Sequence, residues 1–137
     1  MRYEAIIFDL DGTIIDTEEI WKIATQQFII NKGITLSHET IHRIKEKIRG
    51  LALHGSCTVI KEELNLKEPV EELVQQKMAI ANYYYRKGVN FIPGFLDFYK
   101  KIIDLHLKTG IATNADDEIL ESTKAVLPLE KLFGKHI

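Results

Sequence analysis

Two carboxylates, Asp9 and Asp11, follow an apolar run near the start of the chain and are the residues best suited to chemistry. The run Ala5–Phe8 is rich in Ile and Phe, which predicts a short strand buried on both faces, as in a parallel sheet. Two like charges so close together are costly beside a core. They are therefore either solvated at the end of the strand or bound to a ligand.

The sequence allows two interpretations of this acidic pair. Asp and Gly are ordinary turn residues, so Asp11-Gly12 also fits a plain turn with no function. The position favours a site, because open α/β sheets bind ligands at the carboxyl ends of their strands. Thr13 and a second acidic step at Asp16 add to that case.

The elements that must position this pair begin with four helical patterns in succession. Apolar residues recur at spacings of three and four after the first strand, with no strand between the four patterns. Gly33, Gly50, Asn65 and Gly88 end the helices, Ser37 caps the start of the second, and Pro69 opens the fourth. This arrangement predicts a small helical bundle, in which Tyr85 belongs to the apolar core.

An α/β pattern returns after residue 88. A helix beginning at Phe95 is followed by a strand over residues 107–114 that ends in Thr113 and Asn114, then by a helix starting at Asp116 or Asp117. Residues 134–137 are expected to start a third strand. The prediction is an α/β fold whose core, residues 1–15 and 89–137, is split by a helical domain over residues 16–88.

Composition excludes several classes of function. The net charge of −2 and the pI near 6.2 give no reason to expect binding to nucleic acid or to an anionic membrane. No apolar stretch approaches the roughly 20 residues that span a bilayer, and no signal peptide is visible. Cys57 is the only cysteine, which excludes an internal disulfide and fits a reducing cytoplasm.

The five residues Asp9-Leu10-Asp11-Gly12-Thr13 resemble the first motif of the haloacid dehalogenase superfamily of phosphohydrolases. Residues 14–21 resemble its branch of sugar-phosphate phosphatases and β-phosphoglucomutases. The resemblance implies a Rossmann-like parallel-sheet core, incomplete here, with a four-helix cap inserted after the first strand. It also implies Mg²⁺-dependent hydrolysis of a small phosphorylated metabolite, a sugar or polyol phosphate, through an aspartyl-phosphate intermediate.

The same resemblance assigns roles to individual residues. Asp9 is the expected nucleophile and a metal ligand, and Asp11 is the expected general acid and base, with its backbone carbonyl on the metal. Phosphate binding is expected from Gly12, Thr13, Thr113 and Asn114. In the helical domain, Lys77 corresponds to a cap lysine that reaches the substrate phosphate, although a solvated helix position fits it at least as well. Trp21 fits either the core of the bundle or the wall of a cleft, where it would contact the substrate.

Two departures separate this chain from the mutases of that branch. Trp21 stands where they usually carry His, and Leu53 stands near the position of a cap Arg. Both departures favour a phosphatase. A phosphomutase and a non-catalytic binding module that retains the fold are the alternatives.

A third departure is that the later motifs are not found. The family needs a lysine, typically followed by Pro, and acids from a fourth motif, but Lys135 is followed by His136. The chain therefore resembles the N-terminal part of a longer phosphatase, and weak or absent activity is expected of it. The first strand would then have an unpaired edge, which we expect a second copy, a swapped segment or a rearranged tail to cover.

Overall fold

The computed structural model describes residues 3–137, which hold four strands and seven helices. The strands are β1 (Ala5–Phe8), β2 (Ile15–Asp16), β3 (Asn90–Phe91) and β4 (Lys108–Ile111). The helices are α1 (Glu18–Asn31), α2 (His38–Ile48), α3 (Leu53–Leu64), α4 (Val70–Lys87), α5 (Phe95–Asp104), α6 (Asp117–Val126) and α7 (Leu129–Phe133). Across the described part of the chain, no helix combines the length and the apolar character needed to cross a membrane.

The chain forms two compact units. An α/β unit holds the described residues up to Trp21 together with Asn82–Ile137, and a helical unit holds Lys22–Ala81. Helix α4 begins in the helical unit and ends in the α/β unit. Residues 16–21 and 82–88, which the sequence pattern assigned to the helical domain, lie with the α/β unit. The predicted domain limits at residues 16 and 88 stay a prediction.

The α/β unit is built on the parallel pairing of β1 with β4. Ile6 pairs with Thr109 and Phe8 with Ile111, and the N–H of Ala112 extends the ladder by donating to the Phe8 carbonyl over 2.9 Å. Phe8 is buried among aromatic rings, whose centroids lie 5.8 Å away for Phe95, 6.3 Å for Phe98 and 5.9 Å for Phe133. Helices α5 and α7 therefore pack on the Phe8 face of the sheet.

The opposite face of β1 corrects the expectation of a strand buried on both sides. Ala5 is exposed, and 72% of Ile7 is exposed. An apolar run shows that a strand suits burial, but it cannot show whether a second layer of the chain reaches its other face. Within the described residues, only the Phe8 side of this sheet is covered.

The end of the chain corrects a second expectation. Residues 134–137 form no strand, although the His136 carbonyl accepts a hydrogen bond of 2.8 Å from the N–H of Ile111. The tail thus lies beside β4. Among the described residues it does not cover the edge of β1, so the alternative of a rearranged tail over that edge is wrong. The outer edge of β1 has no partner strand among them.

Two short strands that the sequence pattern did not reveal join the segments on either side of the helices. β2 and β3 pair antiparallel, with Ile15 opposite Phe91, and the N–H of Ile92 donates to the Ile14 carbonyl over 2.9 Å. Two residues are too few for a readable alternation. The pairing holds together the segment before α1 and the segment after α4, both within the α/β unit.

The helical unit has its own apolar core, as the spacing of apolar residues predicted. Its buried members are Phe28, Ile29, Ile44, Cys57, Ile60 and Leu73. The helix ends also follow the sequence: Ser37 caps α2 by accepting a 3.2 Å hydrogen bond from the N–H of Thr40, and Asn65 ends α3 in the left-handed conformation. The capping residues in the sequence therefore predicted these two helix boundaries correctly.

Among the described residues of this unit, one charged side chain, that of Lys77, lies in the interior, so the interpretation of Lys77 as a solvated helix position is wrong. Its side chain is only 3% exposed and donates to the Ser56 hydroxyl over 3.1 Å, and its charge acts on the neighbouring Cys57. Burial lowers the pKa of Lys77 below its ordinary value of 10.5 and raises the pKa of the Cys57 thiol. None of the salt bridges among the described residues involves Lys77, and a buried charge without a partner costs the folded state free energy.

We predict that Lys77→Met stabilises the protein by about 1 kcal/mol or more, because Met fills the same space without an ammonium group to desolvate. Ser56 keeps a partner, since its hydroxyl donates to the Leu53 carbonyl over 2.9 Å. Thermal unfolding followed by circular dichroism measures the change. The gain should shrink as the pH rises towards 10.5. Because the pKa of Lys77 is lower in the folded chain, the wild-type protein loses this proton at a lower pH than the unfolded chain does, and its stability then rises with pH.

Lys61→Met is the matched control for this experiment. The Lys61 ammonium donates to the Leu66 carbonyl over 3.0 Å and to the Glu68 carbonyl, beyond the end of α3. Its loss removes charge-assisted hydrogen bonds and should lower the stability. A Lys77→Met protein that is less stable than wild type at neutral pH would contradict the cost assigned to the buried ammonium.

Candidate active site

The acidic pair lies in a tight loop directly after β1. Strand β1 ends at Phe8, Asp9 is exposed, and Asp11 is half-buried. The Leu10 carbonyl accepts from the N–H of Ile14 over 2.9 Å, and the N–H of Gly12 donates to the Ile15 carbonyl over 2.8 Å. Gly12 adopts a φ of 72°, which an L side chain rarely tolerates. The loop therefore returns the chain sharply after presenting both acids.

The carboxylate of Asp11 is held by a tyrosine from the last turn of α4. The Tyr85 hydroxyl donates to Asp11 Oδ1, and the Tyr85 side chain is fully buried. The side chains of Thr17 and Trp21 lie within hydrogen-bonding reach of the same hydroxyl, and the Trp21 ring meets the Tyr85 ring edge-on with 6.3 Å between centroids. Asp11 thus belongs to a small polar cluster inside the α/β unit.

The electrostatics of this cluster keep the proton on tyrosine. Burial raises the pKa of Tyr85 far above its ordinary value of 10.0, and the negative charge of Asp11 raises it further. The hydroxyl therefore remains a donor. Sequence reasoning placed Tyr85 in the apolar core of the bundle and missed this contact; its one available clue was a tyrosine, with a polar tip, on an apolar face.

Thr113 and Asn114 follow β4 in the loop that leads to α6. The strand ends at Ile111, three residues earlier than predicted, and the Thr113 hydroxyl oxygen accepts from the N–H of Ala115 over 3.0 Å. Because Phe8 pairs with Ile111 in a parallel ladder, Asp9 and Thr113 both emerge at the carboxyl edge of neighbouring strands. Neighbouring strands lie about 4.8 Å apart, so the pairing brings the two loops together.

The remaining predicted residues lie in different surroundings. Gly12 and Thr13 are exposed, and the N–H of Thr13 donates to the Leu10 carbonyl over 3.3 Å, so the backbone donors of both residues are used within the turn. Trp21 lies in the α/β unit beside Tyr85, and Lys77 lies inside the helical unit beside Ser56. Within the α/β unit, the structure thus brings Trp21 into contact with the cluster around Asp11.

The ligands available to a cation are oxygen atoms. Among the described residues, no group of three or more His, Cys, Asp or Glu side chains could hold a metal ion. Asp116 is occupied in capping α6, where its carboxylate accepts from the N–H of Glu118 over 2.9 Å. Asp9 and Asp11 offer two carboxylates and intervening carbonyls, a hard donor set that suits Mg²⁺ retaining several waters.

An open groove of about 740 Å³ runs along β1 and β4 to the last residues of the chain. Its lining includes Ile7, Gly110 and His136, but neither Asp9 nor Asp11. The groove therefore follows the bodies of the strands and the tail, not the loops at their carboxyl ends, and it forms no part of the candidate site.

Known proteins resemble this chain over nearly its whole length. A phosphorylated carbohydrates phosphatase of Thermotoga maritima is 26% identical over 131 residues, which is 95% of this chain and 58% of that protein. The chain thus spans little more than half of this relative. Two solved structures share the fold. YfnB of Bacillus subtilis, bound to magnesium, has a TM-score of 0.71 at 18% identity. The match covers 98% of this chain and 64% of YfnB.

The second structure is CbbY of Rhodobacter sphaeroides in complex with xylulose-(1,5)bisphosphate. Its TM-score is 0.69 at 19% identity, with 96% of this chain and 61% of that chain covered. The sequence also matches the haloacid dehalogenase-like hydrolases over residues 6–137. These findings confirm the predicted fold class. From its first strand to its last residue, this chain belongs to the haloacid dehalogenase-like hydrolase family.

Proposed function

We propose that this protein is a Mg²⁺-dependent phosphatase of a small phosphorylated metabolite, a sugar or polyol phosphate. The observation that carries the proposal is the register of β1 with β4, which sets the loop of Asp9 and Asp11 beside the loop of Thr113. The relative from Thermotoga maritima, a phosphatase of phosphorylated carbohydrates, supports this substrate class. We further propose a cytoplasmic location, for which the single, unpaired Cys57 is the support.

The proposed cofactor rests on the donor set. The carboxylate of Asp9 and the backbone carbonyl of Asp11 would hold Mg²⁺, which binds few carboxylates and keeps several waters. Magnesium bound to YfnB supports this assignment. When bound, the cation offsets the charge of the phosphoryl group and lets an anionic nucleophile approach it.

The side chains then share two chemical steps. Asp9 attacks the phosphorus, a bond from its carboxylate oxygen to phosphorus forms, and the ester bond breaks while Asp11 gives its proton to the leaving oxygen. In the second step Asp11 takes a proton from water, the water oxygen bonds to phosphorus, and the bond from Asp9 breaks. One residue thus serves as acid and then as base, and the enzyme returns to its starting state.

Phosphate recognition falls to the neighbouring loops. The Thr113 oxygen accepts from the N–H of Ala115, so its hydroxyl proton is available for a phosphoryl oxygen. Because the backbone donors of Gly12 and Thr13 are used in the turn, the Thr13 hydroxyl is the remaining donor of that segment. Asn114 is exposed beside Thr113, with an amide that can donate to the same group.

The alternatives give different assay results. A phosphomutase would interconvert phosphorylated sugars, but Trp21, which packs on Tyr85, stands at the position where mutases usually carry His. A non-catalytic module would bind a phosphorylated compound without releasing phosphate. For partners, we propose no nucleic acid, given the net charge of −2, and self-association of a second copy along the open edge of β1.

We predict that the intact gene product releases phosphate from sugar or polyol phosphates only with Mg²⁺, and that Asp9→Asn lowers kcat at least about 10³-fold. The amide lacks the negative charge that attacks phosphorus. Asp11→Asn should lower kcat by about 10²–10⁴-fold, the usual contribution of a general acid or base. A coupled assay for inorganic phosphate over a panel of phosphorylated sugars and polyols measures both.

Asp104→Asn is the control for these variants, because Asp104 is exposed at the end of α5 and away from the candidate site. Its turnover should match wild type. Full turnover in Asp9→Asn would rule out Asp9 as the nucleophile. Binding of phosphorylated sugars without phosphate release would favour a non-catalytic module.

For Thr113 we predict that Thr113→Val raises KM by about 10- to 100-fold, because a hydrogen bond to a charged group contributes about 1.5–3 kcal/mol. Val keeps the shape of the side chain and removes the donor. Thr113→Ser keeps the hydroxyl and should restore KM to within about threefold of wild type. Equal KM values in the Val and Ser variants would mean that the Thr113 hydroxyl does not bind phosphate.

The same Lys77→Met protein tests whether Lys77 contacts the substrate, the role that the family resemblance implies. We expect its KM to match wild type, since the ammonium is buried, bonded to Ser56 and less basic than an ordinary lysine. Steady-state kinetics over a range of substrate concentrations measures this. A KM raised tenfold or more in a folded variant would place Lys77 on the substrate phosphate.

A further inference from the structure

The contact between Tyr85 and Asp11 joins residues that are 74 positions apart. Tyr85 is fully buried, and its hydroxyl donates to one oxygen of the carboxylate, Oδ1. A carboxylate has two oxygens, so the other oxygen of Asp11 stays available to exchange a proton. The contact therefore limits how the carboxylate can rotate without using the oxygen that chemistry needs.

The position of Tyr85 is set by the scaffold and not by Asp11 alone. Asn82 and Arg86 lie three residues before and one residue after Tyr85 on the last turns of α4, and both reach Ser122 of α6. The Ser122 hydroxyl donates to the Asn82 side-chain carbonyl over 2.5 Å and accepts from Arg86 Nε at 3.3 Å. These bonds fasten the end of α4 to α6, so the Tyr85 hydroxyl is presented from a fixed helix end.

A second set of groups holds the tyrosine from the other side. Trp21 packs edge-on against its ring, and the Thr17 hydroxyl lies within hydrogen-bonding reach of its oxygen. Thr17 is 3% exposed, so this support is itself buried. A side chain fixed by packing and by further hydrogen bonds can hold a reacting group within the narrow tolerance that catalysis needs.

We propose that Tyr85 is the positioning residue for Asp11, holding Oδ1 so that the second oxygen faces the leaving group and later the water. This inference rests on the proposed phosphatase function and adds a residue to it. Tyr85 keeps its own proton throughout, because the proton that Asp11 gives in the first step returns from water in the second. The substrate is bound by other residues, so the loss of Tyr85 should affect kcat and leave KM unchanged.

The test compares Tyr85→Phe with the matched control Tyr83→Phe in the intact gene product. Phe fills the same buried space and removes only the hydroxyl, while Tyr83 is 55% exposed and contacts Tyr84 and Lys87. We expect Tyr85→Phe to stay folded and to lose about 10- to 100-fold in kcat, as expected when a catalytic group is misplaced by about 1 Å. Its KM should stay within about twofold of wild type, and Tyr83→Phe should match wild type in both constants.

A second readout needs no turnover. Trp21 is the only tryptophan, and its ring contacts Tyr85, so its fluorescence reports on this cluster. We expect Asp11→Asn to shift the Trp21 emission when Tyr85 is present and to leave it unshifted in the Tyr85→Phe background. The comparison uses four proteins, namely wild type, both single variants and the double variant.

The outcomes separate this inference from the proposed function. A wild-type protein with no Mg²⁺-dependent phosphate release contradicts the phosphatase, and the emission of the four proteins then decides whether Tyr85 holds Asp11. An active wild type with unchanged kcat in Tyr85→Phe overturns the role of Tyr85 alone. An increase of KM at constant kcat, or equal emission shifts in both backgrounds, would overturn it as well.

Discussion

The parallel pairing of β1 with β4 is the interaction on which the rest of the α/β unit depends. It aligns Phe8 with Ile111, and with them the two loops that follow. The aromatic cluster around Phe8 stabilises the pairing from one side of the sheet. Its rings meet edge-to-face, an arrangement that adds stabilising free energy beyond the burial of apolar area. A shift of one residue would turn Phe8 out of this cluster and separate Asp9 from Thr113, so packing and the candidate site select the same register.

The second constraint is charge. Asp9 and Asp11 are close in sequence, and their repulsion is tolerable because Asp9 is exposed and Asp11 receives a hydrogen bond from Tyr85. A buried donor fixed by its own neighbours is already oriented before any ligand arrives, which reduces the reorganisation that a reaction would require. The last turn of α4 thereby joins the chemistry of the first loop, although 74 residues separate them.

The helical unit follows a different logic, because its core is complete within itself. Phe28, Ile44 and Ile60 are buried among its own helices, and its helix ends carry local caps such as Ser37. The exception is Lys77, whose ammonium lies in that interior beside Ser56. A side chain that costs the folded state free energy is a natural place to look for function.

The sequence by itself determined the local elements and the acidic loop. Helix limits followed from Ser37, Asn65 and Pro69, because capping and breaking act within a few residues, and Asp9 with Asp11 stood out after an apolar run. The resemblance of that loop to a known motif gave the family, which the comparison over residues 6–137 supports.

Only the tertiary structure decided what depends on distant parts of the chain meeting. The exposure of Ile7 could not be predicted, since an apolar residue carries no information on whether another layer covers it. The position of the tail beside β4 and the pairing of β2 with β3 were set by long-range hydrogen bonds that leave no periodic pattern. The same holds for Tyr85, which reads as core in the sequence and becomes the partner of Asp11 because α4 ends beside the first loop.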